Sequence, residues 1–475
     1  MVSAKVRSDL SEFYESSQKT PFVSLDCRHG IFYAIVGCDH FEYRIACDFG
    51  RSTSISVRNA KAVISYALTV ALFIPMSGWL ADKHGTLKIF RLAVGLFVLG
   101  SVFCAMSYSL NMLVASRVVQ GFGGALMMPV ARLAIIRTIP KNQLLPIWNT
   151  MAMAGLTGPI IGPVLGGWLV TYATWHWIFL INIPIGLVGI LLASRFMPNA
   201  TGKNRHLDWL GFFLFGGGLV GVTLGLDLVS EVHADKFSAL VILSVGILFL
   251  VGYYLHAKKV VNALIPFSLF DVRTFSIGSF ANLMVRLCAS GVPFLLPLML
   301  QVAFHYEANQ AGWMIAPIAI GSLLTKPFTG KLLTKLGYKT TLILTALCMT
   351  LLVAMMSFLH ADTPLALHIL LVGCYGVCLS IMFTSVNTLT VSELDEHNAS
   401  AGSTMLSVVQ QVGIGLGIAI SAVILNGYRY FIGDTGEELQ QAFSYTFLTS
   451  AIFGILLILV LAKLNKYDGE HLHKR

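Results

Sequence analysis

Residues 78–91 read GWLADKHGTLKIFR, with Asp82, Lys83, His84, Lys88 and Arg91 gathered in one short stretch. On either side lie apolar runs, AVISYALTVALFIPMSGWLA at 62–81 and LAVGLFVLGSVFCAM at 92–106. A helix needs about 20 mainly apolar residues to cross the hydrocarbon of a bilayer. The first run has that length, and Ile89 and Phe90 extend the second towards it. The stretch therefore reads as a charged turn between two membrane-spanning helices, and that reading decides the fold class.

The rest of the chain agrees. Of 475 residues, 56% are hydrophobic and 12% charged, where soluble proteins carry about 25% charged residues. Mean hydropathy is +0.76. Runs of spanning length recur at approximately 62–81, 89–108, 111–131, 149–171, 177–196, 208–228, 237–256, 275–300, 311–329, 340–359, 364–388, 400–425 and 443–463. They are continuous rather than alternating, so they predict helices and not the strands of a membrane barrel. The net charge of +9 sits in short turns between these runs. That pattern fits membrane orientation, and no nucleic-acid partner is expected.

Lys and Arg in short loops mark the cytoplasmic side. The stretches near 82–91, 132–147, 195–206, 257–273 and 326–340 are basic, with Arg132 and Arg137 in the second and Lys326 in the fifth. The intervening turns hold almost no Lys or Arg. The basic loops and the C-terminal tail are thus expected in the cytoplasm, in a multi-pass protein of the inner (cytoplasmic) membrane. Parity would then ask for a further span before residue 60. Residues 31–37, IFYAIVG, are apolar, but Asp39, His40, Glu42, Arg44, Asp48 and Arg51 follow. A charge near the bilayer centre costs about 3 kcal/mol on insertion scales, so 26–58 is expected not to form a normal spanning helix.

Cys27, His29, Cys38 and His40 lie near one another, but their spacing fits no zinc pattern, and no metal is assigned. No GxxxxGK[ST] phosphate loop is present and no catalytic cluster stands out. No cofactor is expected, and the chain is not read as an enzyme.

Four places carry chemistry. In the opening stretch, Gly78 permits close helix approach and Gly85 a sharp bend. Asp82 is read as half of a latch made and broken between two states, with Lys88 and Arg91 beginning the next helix and holding the turn inside. The alternative is that these are topology charges only. In LVASRVVQGFGGALMMP, 113–129, Arg117 lies one to two turns inside a span with Gln120 on the same face. A buried Arg points to function, and the alternative is an Arg snorkelling to the outer surface. In AGLTGPIIGPVLGGWL, 154–169, Gly158, Gly162 and Gly166 share one helix face and Pro159 and Pro163 another. This reads equally as a sliding, kinked helix or as a static packing stripe, the latter being the reading of GLVGVTLG at 218–225. Arg286, mid-span in SFANLMVRLCASGVPF, should face the central cavity. Asn387, Gln410 and Gln411 are polar groups in late spans, read equally as helix–helix hydrogen bonds or substrate contacts. One faint internal repeat pairs Gly78 and Gly85 with Gly330 and Gly337 of GKLLTKLG.

With WHWIFLINIPIG at 175–186, these motifs resemble the major facilitator superfamily, and within it the fourteen-helix drug:proton antiporters of the EmrB/QacA type, over roughly residues 60–465. GWLADKHGTLKIFR is similar to the family's loop between helices two and three, RVVQGFGGA to its helix-four motif, and GPIIGPVLGG, with Gly167, to its helix-five antiporter motif. The resemblance implies an all-α membrane protein of two six-helix bundles plus two extra central helices. The division would be 1–58 as an atypical N-terminal segment with a degenerate first helix, 59–197 as the first bundle, 206–257 as the extra pair, 274–464 as the second bundle and 465–475 as a cytoplasmic tail. It implies proton-coupled multidrug efflux by alternating access, with Gly78, Asp82, Gly85, Lys88 and Arg91 at the cytoplasmic gate and Arg117 and Gln120 in proton coupling. Gly158, Pro159, Gly162, Pro163, Gly166 and Gly167 would serve helix rearrangement, and Arg286, Asn387 and Gln410 the substrate cavity. The expected partners are a small amphipathic substrate, protons and the lipid bilayer, with the monomer as the working unit. The family's LDxTIVNxALP-like first-helix motif does not occur in 26–58. That departure keeps a non-transporting remnant open, and because the residues do not separate one substrate type from another, a metabolite exporter of the same fold stays open too.

Overall fold

A computed structural model of the chain describes residues 53–139, 147, 176–202, 206–230, 235–260, 263–395, 398–433, 435–465 and 468–469. Among them the chain is helical and contains no strand. Lipid offers no hydrogen bonds to exposed backbone, and a helix satisfies its own. Among the described residues, eleven helices are long and apolar enough to cross a membrane.

Helix α1, Thr53–Phe73, passes through a tight turn at Ile74–Met76 into α2, Ser77–His84. Gly85 breaks the chain, and α3, Thr86–Ala105, runs back. Helix α4, Leu110–Thr138, starts where the Ser109 hydroxyl accepts from the Met112 amide at 3.3 Å. It ends because Pro140 follows: the residue before a proline is forced extended, and Ile139 has φ −111° and ψ 130°. Arg132 and Arg137, read from the sequence as loop charges, therefore lie inside a helix. A short turn, Trp177–Leu180, leads to α5, Asn182–Phe196. Helices α6, Trp209–Ser230, and α7, Lys236–Ala257, pack on each other. A Cβ at Gly221 would lie 2.6 Å from the Cα of Gly246, so GLVGVTLG is a contact stripe between these two helices. The Asp235 carboxylate caps α7, accepting from the Ser238 hydroxyl at 2.5 Å and from the Phe237 and Ser238 amides at 3.2 Å. These donors hold its carboxyl below the usual range.

The second half begins with α8, Arg273–Ala289, continued by Val292–Leu298 and a π turn at Met299–Ala303. Next come α9, Ala308–Met355; α10, Leu365–Val391; α11, Ala399–Ile432; and α12, Gly436–Ala462. The 48 residues of α9 are two spans joined at Gly337, whose φ of 75° and ψ of 166° break the helix. The runs expected at 311–329 and 340–359 are its two arms. The run expected at 149–171 lies outside the described residues, as do 26–52. Residues 53–58 begin α1.

The two halves build separate apolar cores. One gathers Ile89, Phe90, Phe97, Leu126 and Val130; the other gathers Leu295, Leu342, Met349, Tyr375 and Phe443. Helices α6 and α11 bridge the halves. The chain turns meet at two opposite ends. At one, Asp82 pairs with Arg137, His256 with Asp208 at 2.8 Å, and the Thr274 hydroxyl donates to Glu393 at 2.8 Å. At the other, Tyr306 donates to the carbonyl of Ala361 and His360 pairs with Gln440. The described parts of the sequence's basic turns fall at the Asp82 end.

Candidate functional site

The turn at 78–85 is held from three sides. Asp82 accepts a hydrogen bond from Arg137 at the end of α4, 2.5 Å, in an ion pair largely shielded from solvent. The segment after α5 straps across the turn. The Gly202 amide donates to the Asp82 carbonyl at 3.0 Å, and the Thr86 amide to the Ala200 carbonyl at 3.0 Å. The Asn199 side-chain oxygen accepts from the Leu87 amide at 3.1 Å and the Lys88 amide at 3.4 Å, capping α3 at its positive N-terminal end. Gly85, φ 92° and ψ 150°, occupies a region essentially closed to other residues. A Cβ there would also fall 2.2 Å from the Asn199 side chain. Gly85→Ala is expected to cost about 2 kcal/mol from backbone strain and to release the strap. Limited trypsin digestion between α5 and α6 should quicken, and an unchanged digestion rate would contradict this geometry.

Lys88 and Arg91 are exposed on α3, and the Lys83 ammonium lies 5.0 Å above the Trp79 ring. The ion-pair partner that the structure gives Asp82 is thus Arg137. Gly78 faces the other half: a Cβ there would lie 2.6 Å from the hydroxyls of Ser400 and Thr404 on α11.

Arg117 and Gln120 lie together in the first bundle, 1% and 0% exposed. One turn of helix brings them to one face. The Arg117 guanidinium donates from Nε to the Ala62 carbonyl at 3.2 Å and from Nη1 to Gln120 Oε1 at 2.6 Å. Its carbon lies 4.3 Å from the centre of the Tyr66 ring. Gln120 Nε2 donates to Ser101 of α3 at 2.8 Å, and Asn182 of α5 reaches the same hydroxyl at 3.5 Å. Arg117 is therefore buried between helices and does not reach outward to the surface.

Between the bundles lies a second polar group. Arg132 Nη1 donates to the Ser407 hydroxyl at 3.1 Å, and Nη2 to Gln410 Oε1 at 2.8 Å, joining α4 to α11. Gln410 Nε2 donates to Asn387 Oδ1 of α10 at 2.7 Å. Ser403 donates to the Pro129 carbonyl at 2.8 Å, and the Ser77 and Thr404 hydroxyls lie 3.4 Å apart. Arg286, half-buried on α8, stacks over Phe383 of α10 at 4.7 Å, with Gly413 and Gly417 of α11 packed against it. The structure thus brings Arg286, Asn387 and Gln410 to one region. It adds Arg132, whose signal was the helix running on to Pro140. Gly158, Pro159, Gly162, Pro163, Gly166 and Gly167 lie outside the described residues.

Comparison with known proteins gives this architecture its class. A sequence profile described as Major Facilitator Superfamily matches residues 44–418 and 275–474, and the chain belongs to that superfamily of membrane transporters. It is 55% identical over 413 residues to the "Probable transport protein HsrA" of Haemophilus influenzae, covering 87% of this chain and 89% of that one. It is 36% identical over 400 residues to the "Putative multidrug resistance protein MdtD" of Pectobacterium carotovorum subsp. carotovorum, covering 84% and 86%. Among solved structures it resembles the human organic anion transporter MFSD10, with a TM-score of 0.67, 12% identity and coverage of 93% and 100%. It also resembles the proton:xylose symporter XylE, with a TM-score of 0.66, 12% identity and coverage of 95% and 98%. At such identities these two speak for the fold alone.

Proposed function

We propose that this transporter is a proton-coupled exporter of small amphipathic compounds, set in the cytoplasmic membrane with the Asp82 end and the C-terminus inside, and working by alternating access as a monomer. The observation that carries this reading is the seam between the bundles. The hydrogen bonds that Ser77, Pro129 and Arg132 make to α11 lie towards the Asp82 end, and each is a single polar contact that can be exchanged. Such a seam supports two bundles that rock about a central site, closed here on the side proposed as cytoplasmic. Asp82 and Arg137 would latch that side. The Arg117–Gln120 network, buried beside α1, would couple proton movement, and the Gly/Pro stripe at 158–167 would let its helix shift. Arg286, Asn387 and Gln410 would border the substrate. The relatives described by name as a transport protein and a multidrug resistance protein favour export of foreign compounds over a single metabolite.

The test is proton movement in proteoliposomes loaded with a pH dye, on adding ethidium and then a panel of amphipathic anions. Drug-triggered flux is expected, and Asp82→Asn should reduce it about tenfold or more, since the change strips a shielded ion pair of one charge. No flux from either chain, with folding and insertion verified, would sink the exporter reading and leave the motifs as relics of ancestry.

A further inference from the structure

Residues 263–272 lead the chain from the α6–α7 pair into α8 and cross the seam between the bundles on the way. Ile265 is buried in the first of the two apolar cores, where Tyr253 of α7 grips its main chain. The Tyr253 hydroxyl donates to the Ile265 carbonyl at 2.9 Å and accepts from the Ile265 amide at 2.8 Å. A hydroxyl can donate and accept at once, so one side chain fixes both the position and the orientation of that residue. The Tyr253 ring is held in turn, 4.8 Å from Phe215 of α6 and 6.2 Å from Phe267. Beside the grip, His256 of α7 lies 2.8 Å from Asp208, which precedes α6.

Four residues on, in a short 3-10 turn at Phe267–Asp271, Leu269 is 0% exposed. It belongs to an apolar group of its own at the Asp82 end, apart from the two bundle cores. That group holds Ile135 near the end of α4, and Val391, Leu394 and Leu406 at the ends of α10 and α11. It therefore draws on both bundles. Beyond Leu269, the rings of Phe267, Phe270 and Phe275 follow one another at 6.3 and 5.6 Å into α8. Bundles that part at this end must take the group apart, because Ile135 goes with one and the other three with the second. Exclusion of water holds such a group together. Pinning the chain four residues before Leu269 lowers the entropy lost when that side chain is seated.

We propose that Leu269 is a plug seated in the Asp82 end of the seam, and that the α6–α7 pair is its holder, with Tyr253 as the positioning residue. The plug keeps water out between the ends of α4, α10 and α11 while that end is closed. The pair thereby sets how often the end opens, although neither of its helices reaches into the seam there. This deepens the alternating-access reading above and rests on it for the opening movement, though not for the seat of Leu269.

The test is hydroxyl-radical footprinting of the full-length chain in phosphatidylcholine nanodiscs, read by mass spectrometry, which reports how often water reaches each side chain. Leu269→Ala should raise the labelling of Ile135, Leu394 and Leu406 about tenfold, while Leu269→Met, of similar volume, should leave it close to that of the unaltered chain. Tyr253→Phe keeps the ring and loses both hydrogen bonds to Ile265, and should raise labelling at the same three residues about threefold to tenfold. Tyr254→Phe is the control: its ring lies 5.0 Å from Phe267, but its hydroxyl bonds no described residue. Leu359, buried at the opposite end, should keep its labelling in every variant. Thermal unfolding checks that each variant is folded. Labelling unchanged at the three residues in folded Leu269→Ala overturns the plug. So does an equal rise at Leu359, which marks general loosening. A rise with Leu269→Ala but none with Tyr253→Phe overturns the α6–α7 pair as holder. The exporter reading fails separately: labelling as expected with no drug-triggered proton flux from the unaltered chain keeps the plug and sinks the exporter, while flux with unchanged labelling in the variants does the reverse.

Discussion

Arg117→Ala is expected to destabilise the folded protein by about 3 kcal/mol, among the largest effects of any single side-chain truncation in the first bundle. The side chain fills a closed space among α1, α3 and α4, so its removal leaves both a cavity and a stranded acceptor. Gln120 Oε1 would retain only the weak Cys104 thiol donor at 3.9 Å. Arg117→Lys should recover about half, because one ammonium cannot reproduce a fork that reaches Ala62 and Gln120 at once. Arg117→Met is the informative partner. It fills the volume with an apolar chain, and buried charges replaced in this way are often neutral or stabilising. If Arg117 serves coupling, Arg117→Met should restore the unfolding temperature in detergent and still abolish drug-driven proton flux. If its role is packing, flux and stability should return together. The measurements are intrinsic-fluorescence melting and the proteoliposome assay, on the same preparations.

Gly376→Ala should cost about 2–3 kcal/mol in the second bundle. A Cβ at Gly376 would sit 2.0 Å from the Ile318 carbonyl oxygen and 2.7 Å from its Cα, so the obstacle is backbone and cannot rotate away. The contact is reciprocal, since a Cβ at Gly321 would lie 2.2 Å from the Gly373 carbonyl oxygen. Helices α9 and α10 therefore meet main chain to main chain, and the Ser322 hydroxyl donates across the gap to the Gly376 carbonyl at 2.7 Å. Small residues allow such approach where lipid supplies no hydrophobic drive between helices. The methyl group would push the helices apart and break that hydrogen bond. Gly330→Ala is the control: nothing lies within 4 Å of its Cβ position. As a helix-interior substitution it should gain about 0.5–1 kcal/mol. Equal melting temperatures for the two variants would contradict the close packing of α9 on α10.

Much of this frame could be read directly from the chain, because spanning helices are set by a local quantity, the length of an apolar run. The starts of α4, α6 and α7 and the break in α9 fall close to where hydropathy and glycine place them. Arg117 with Gln120 was legible as a pair from a spacing of three. Asp82 was legible as half of an interaction, but its partner was not. Arg137 lies 55 positions away on another helix, and nothing local distinguishes it from Lys88 or Arg91. Arg132 and Lys326 were misplaced for a different reason. Counting basic residues for orientation assigns every cation near a span boundary to a loop, and these two point back into the protein. Pro140 held the correction for Arg132, since a helix that ends only at the preceding residue must carry both arginines. Asn199 left no signal, because its role depends on the N-terminus of a helix more than a hundred residues earlier.

Gly85 and Gly337 adopt nearly the same backbone conformation, φ 92° and ψ 150° against 75° and 166°, seven positions after Gly78 and Gly330. The first bend is fastened by Arg137, Asn199 and Gly202. Around the second there is open space, with Lys331, Thr334 and Lys335 exposed and the Thr334 hydroxyl turned back to the Lys331 carbonyl of its own helix. The two copies therefore answer to different constraints as the gene drifts. At 331–337 most side chains can change freely while the glycine endures. At 78–86 a change must be matched by a second one on a distant helix or strap, so mutations there can be accepted only in pairs.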